Sequence, residues 1–152
     1  MGLDMYLYAE KYLSGKDWDP KDQATNKKVR KLLPDMFLSG NLDVVLVKFE
    51  TAYWRKSNQI HQWFVDNCQD GVDDCKEYYV GREQIEQLIE LCKTAVANKD
   101  MAPSALPTQD GFFFGGTEYD EWYYKDLEAT VEMLGKCLGL PDVWQFTYRS
   151  SW

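Results

Sequence analysis

The hydrophobic period of this chain changes along its length, and that change limits the folds open to it. At the start, Leu3, Met5 and Leu7 alternate with Asp4, Tyr6 and Tyr8. That is the period of two expected of a strand with one apolar and one aromatic-polar face. Near the end, Trp144, Phe146 and Tyr148 alternate with Gln145, Thr147 and Arg149 in the same way. In between, Ile85, Leu88, Ile89, Cys92 and Val96 recur at helical spacing, giving a stripe about 100° wide that needs a core to face. Strand and helix periods in mixed order point to an α+β fold.

Breakers and turn residues divide the rest. Turn chemistry over residues 14–23 (SGKDWDPKDQ) precedes a short basic helix expected from Ala24 to Leu33, which Pro34 ends. After the turn Ser39-Gly40-Asn41, the β-branched segment from Asp43 to Tyr53 reads as a strand that runs into a helix from Trp54 to Cys68. Ile60, Trp63, Phe64 and Asn67 share one side of that helix, and Trp54, Asn58, His61, Val65 and Cys68 share another. Glu77 to Val80 reads as a short strand, Gly81 opens the helix with the apolar stripe, and a loop covers Asn98 to Asp110. The aromatic segment Gly111 to Gly116 (GFFFGG) reads as a buried strand ending in a glycine turn. Thr117 is the expected N-cap of a helix that runs to about Leu138, buries Tyr123, Leu127, Val131 and Leu134, and stops at Gly139. The expectation is one domain over residues 1–152, with about five strands in a mixed or antiparallel sheet and three to four helices packed on it.

Composition narrows the function classes. The 152 residues are 45% hydrophobic, enough for a core that hides roughly two thirds of the unfolded surface. No run approaches the eighteen apolar residues of a membrane span. The opening MGLDMYLYAE carries acids and no basic segment, unlike a secretory signal, so a cytoplasmic protein is expected. Cys68, Cys75, Cys92 and Cys137 read as free, partly buried thiols, because a chain of this size needs no disulfide support. A formal charge of −8 argues against duplex nucleic acid as a partner, since backbone binding depends on a basic surface.

Signature motifs for nucleotide phosphates, acyl transfer and paired zinc ligands are missing. With one histidine, a multi-histidine metal site is excluded. The seven-residue spacing of His61, Cys68 and Cys75 is two helical turns rather than a zinc motif. Those two turns separate His61 from Cys68 by about 10.5 Å, too far for a Cys–His nucleophile. No metal site, cofactor or catalytic set is therefore assigned. Two segments are dense in recognition chemistry. Residues 54–63 (WRKSNQIHQW) combine a cation, amides, an imidazole and indoles, a set able to stack a flat ring and pair with an anion. Residues 111–126 (GFFFGGTEYDEWYYKD) join a glycine turn to acids and tyrosines that cannot all face inward on one helix.

The strings MGLDMYLY, YWRKSNQIHQWF, QDGVDDCKEYYV, LPTQDGFFFGGTEYDEWYYKDLEATVEML and YRSSW together resemble a family of small uncharacterised phage and prophage proteins, over nearly the whole chain. The resemblance implies a phage accessory protein in the infected bacterial cytoplasm, where such proteins often counter host immunity. The expected function is a non-enzymatic binding protein that sequesters a small nucleotide-like or flat polar ligand. Trp54, Arg55, Asn58, His61, Glu118, Tyr119 and Asp120 are its expected ligand-binding residues. One alternative is an acidic interaction module that inhibits a host defence protein. Another is a small hydrolase or transferase that uses His61 with carboxylates. The surplus aromatic surface also admits a homo-oligomer.

Overall fold

The two strands read from alternation at the chain ends lie side by side in the middle of one sheet. The computed structural model describes residues 2–14, 19–37 and 43–152. Its strands are β1 (Asp4–Tyr12), β2 (Leu46–Arg55), β3 (Tyr78–Val80) and β4 (Gln145–Ser151), in the order β2-β1-β4-β3. The helices are α1 (Pro20–Leu32), α2 (Asn58–Cys68), α3 (Arg82–Ala97), α4 (Ala102–Ala105) and α5 (Glu121–Leu138). The fold is α+β with an antiparallel sheet. β3 pairs antiparallel with β4, Tyr78 facing Tyr148 and Val80 facing Phe146. Between β1 and β2, Thr51 Oγ1 donates to Leu7 O at 3.0 Å and Lys56 N to Leu3 O at 2.8 Å. The partner numbers run in opposite senses, as an antiparallel pair requires.

The chain divides into two compact units, Met1–Ala9 with Phe49–Trp152, and Glu10–Lys48. In the larger unit the apolar faces of the strands supply Leu3, Met5, Leu7, Phe146 and Tyr148, all within 1% of complete burial. They share one core with Ile60 and Phe64 of α2, Ile85 and Leu88 of α3, and Leu127 and Leu134 of α5. The rings of Phe64 and Tyr148 stack with centroids 4.0 Å apart. Cys92 and Cys137 are buried on α3 and α5, and all four thiols are free. Burial pushes the Cys68 and Cys92 thiols up to about 12, which leaves them protonated and inert. In the smaller unit, α1 is capped by Asp19, whose side chain accepts from Lys21 N at 2.8 Å. The Asn26 side chain clamps the backbone of Val44 through both its oxygen and its nitrogen.

Several elements depart from the sequence expectation. α1 starts at Pro20, within the turn expected over residues 14–23, rather than at Ala24, and β2 starts at Leu46 rather than Asp43. Among the described residues the sheet has four strands rather than about five, because residues 111–116 form a turn. Phe114 N donates to Gly111 O at 3.0 Å, and Gly115 sits at φ +92°, a left-handed conformation that no strand continues. Phe112 is consequently 96% exposed rather than buried. The helix expected from Trp54 starts at Asn58 instead, since Trp54 and Arg55 complete β2 and Lys56, at φ 58°, breaks the strand. Trp54 faces inward in step with Ala52 two residues before it, so its i, i+4 relation to Asn58 was accidental. The N-cap of α5 is Asp120, not Thr117, because the Asp120 carboxylate accepts from Trp122 N and Tyr123 N at 2.9 and 3.1 Å. The expected loop over 98–110 also holds a short 3-10 turn (Lys99–Met101) and α4. The turn expected at Ser39-Gly40-Asn41, and residues 15–18 of the turn expected over 14–23, lie outside the described residues. No helix among the described residues is long and apolar enough to cross a membrane.

Candidate functional site

Two chain reversals face each other in the larger unit: the joint between β2 and α2, and the segment leading from the glycine turn into α5. Between them lies a cleft of about 310 Å³. Arg55, Lys56, Asn58 and Gln59 line it from the first reversal, and Gly115, Gly116, Glu118 and Asp120 from the second. Trp122, Tyr123 and Asp126 of α5 and Thr108 complete the lining.

Asn58 holds the reversals together. It is 1% exposed, donates from Nδ2 to Phe114 O at 3.1 Å and Gly116 O at 2.8 Å, and accepts from Gln109 N at 2.8 Å. One buried amide thus satisfies three backbone groups of a loop that has few partners of its own. At the other side, the Gly111 position is closed by the Phe114 ring, which would lie 2.7 Å from any Cβ there.

The charges of the lining are mixed. Arg55 is largely exposed and stands 4.0 Å from Asp4. Lys56 and Glu118 have no ion pair or hydrogen-bond partner for their side chains among the described residues. Asp126 accepts from Ser57 Oγ at 2.8 Å. Loss of water around it raises its carboxyl above the usual aspartate range, the hydrogen bonds from Ser57 and Gln59 oppose that rise, and Asp120 adds to it. Trp122 is 71% exposed, with the Lys125 ammonium 4.7 Å over its ring.

Of the seven residues singled out from sequence, Arg55, Asn58, Glu118 and Asp120 line the cleft, while Trp54, His61 and Tyr119 do not. Trp54 is a core residue whose Nε1 donates to Thr130 Oγ1 at 2.8 Å. Tyr119 leans edge-on against Tyr123, and its hydroxyl accepts from Thr108 N at 3.3 Å. His61 is fully buried; Nδ1 lies 2.8 Å from Tyr148 Oη and Nε2 3.0 Å from Asp73 Oδ2. Both ring nitrogens are engaged, and no solvent reaches the imidazole. The same Asp73 accepts from Trp152 Nε1 at 3.1 Å, so His61 ties α2, β4 and the acidic loop together. Asn58 and Asp120 line the cleft, but their main bonds are to the backbone.

Lys56, Gln59, Trp122 and Asp126 line the cleft and lie in the two dense segments, but they are not among the seven residues expected to bind a ligand. For Asp126 there was a signal: it follows Tyr123 by three residues, which puts it beside the buried stripe of α5. For Lys56 there was none, since its place depends on where β2 stops. Among the described residues no group of three or more histidines, cysteines or acids stands together as a metal site. No protein-family model, curated protein or solved structure matches this chain.

Proposed function

We propose that this is a non-enzymatic binding protein whose cleft takes up a small, flat, polar ligand of nucleotide-like chemistry. The observation that carries this reading is the make-up of the cleft: its lining combines two cations, Arg55 and Lys56, with three carboxylates, Glu118, Asp120 and Asp126, and an exposed indole, Trp122. Arg55 and Lys56 pair with an anionic group, a flat ring stacks on the face of Trp122 that Lys125 leaves uncovered, and Glu118 and Asp126 accept from hydroxyls or amines. The lining holds no cysteine, serine or histidine, and the histidine of the enzymatic alternative is fully buried. Both facts favour binding over catalysis. In the phage setting that the family resemblance implies, the protein withholds a nucleotide signal from host immunity.

Native mass spectrometry of protein purified from bacteria tests this. A nucleotide-like mass is expected on the wild-type chain and is lost from the Arg55→Ala and Trp122→Ala variants, whose side chains are exposed. Retention by both variants refutes the cleft as the site. A second reading, an interaction module that inhibits a host defence protein, is favoured by Phe112 at 96% and Trp122 at 71% exposure on an acidic chain. A salt-sensitive complex abolished by Phe112→Ala, in protein that carries no small molecule, supports that reading instead.

A further inference from the structure

Lys56 is held in place as few surface lysines are. Its backbone stands at φ 58°, a left-handed conformation that side chains adopt only at an energetic cost. Its amide is fixed by Leu3 O at 2.8 Å. Two glycines wall its stem: a Cβ at Gly2 would lie 3.1 Å from Lys56 Cε, and one at Gly115 3.1 Å from Lys56 Cβ and 3.2 Å from its carbonyl oxygen. The stem of a long, flexible side chain is thereby confined, and Lys56 is among the residues that line the cleft. The ammonium has no partner among the described residues, and neither have the N–H groups of Gly115 and Gly116. A cation and two backbone donors without partners, on residues that line one cleft, suit an anion with several acceptor oxygens, as phosphate is.

Two further observations limit that anion. Glu118, Asp120 and Asp126 outnumber Arg55 and Lys56 in the lining, so a second or third phosphate meets like charge. At about 310 Å³ the cleft is also at the small end of ligand pockets, which run from roughly 300 to 1,000 Å³. Resting on the binding reading above, we propose that the ligand is a nucleoside monophosphate and that Lys56, with the amides of Gly115 and Gly116, holds its phosphate.

Isothermal titration of the full chain with AMP and with adenosine tests this. Wild-type protein is expected to bind AMP roughly tenfold or more tightly than adenosine, a preference of the size that one charge-assisted contact supplies. Inorganic phosphate should compete with AMP and not with adenosine. Lys56→Met should bring AMP down to the affinity of adenosine and leave adenosine unchanged, and Lys56→Arg should keep most of the preference. Equal binding of AMP and adenosine by the wild type, or a preference that survives in Lys56→Met, overturns the phosphate assignment while the binding reading stands. If neither compound binds, the phosphate assignment falls, and the binding reading is decided separately by the bound mass in native mass spectrometry.

Discussion

Removing the Asn58 side chain tests whether one buried amide holds the cleft together. Its three hydrogen bonds to Phe114 O, Gly116 O and Gln109 N each contribute about 1 kcal/mol net, so Asn58→Ala should destabilise the fold by about 3 kcal/mol. In a chain of this length 1 kcal/mol shifts the melting temperature by about 2–4 °C, which predicts a fall of about 6–12 °C. Asn58→Asp should be at least as damaging. It keeps the acceptor for Gln109 but turns lone pairs toward two carbonyl oxygens that now receive no proton. Thermal and urea unfolding measure the stability, and hydrogen exchange at the Gln109 amide reports the loop itself. Protection at Gln109 should vanish in both variants under conditions where the core amides of β1 and β4 still resist exchange. A fall of less than about 2 °C with Gln109 still protected would mean that the loop is held by something other than Asn58. An Asp variant as stable as the wild type would show that the two donated bonds carry no weight.

Two further outcomes follow from polar groups that folding takes partly or wholly out of water, the half-buried Asp126 and the buried Thr130. Asp126 has its carboxyl raised by loss of water, so its charged form is disfavoured in the folded state. A group shifted in that direction contributes stability at pH below its unfolded value and loses it as pH rises through the folded value. Asp126→Asn, which keeps an acceptor for Ser57, should therefore raise the melting temperature at pH 7 and cease to do so below the ordinary aspartate range; equal gains at pH 3 and pH 7 contradict this. Thr130→Val preserves shape but leaves the Trp54 indole N–H, now 2.8 Å from Thr130 Oγ1, without an acceptor in the core. Urea unfolding should show a loss of about 1–3 kcal/mol, and a loss unchanged when Trp54 is already phenylalanine would refute the bond.

Periodicity made the α+β class legible, because burial on one face imposes a pattern of two on a strand and of 3.6 on a helix wherever that face meets the core. β1, β3, α3 and β4 could thus be read from Leu3, Val80, Ile85 and Phe146, and so could the end of α5 at Gly139. Four of the seven expected site residues came to one cleft because the two dense segments each sit at a chain reversal, where polar side chains collect. The turn at residues 111–116 was illegible: three phenylalanines in a row carry no period, and apolar character alone cannot tell a buried strand from an exposed turn. His61 misled for the complementary reason. A polar side chain on a helix reads as a surface group until its partners are known, and those partners, Tyr148 and Asp73, lie 87 and 12 residues away. By itself, then, the sequence determined which segments bury a face and where several of them end. Only the tertiary structure decided which residues meet across the cleft, because strand order and the left-handed joint at Lys56 set distances between segments that no local pattern encodes.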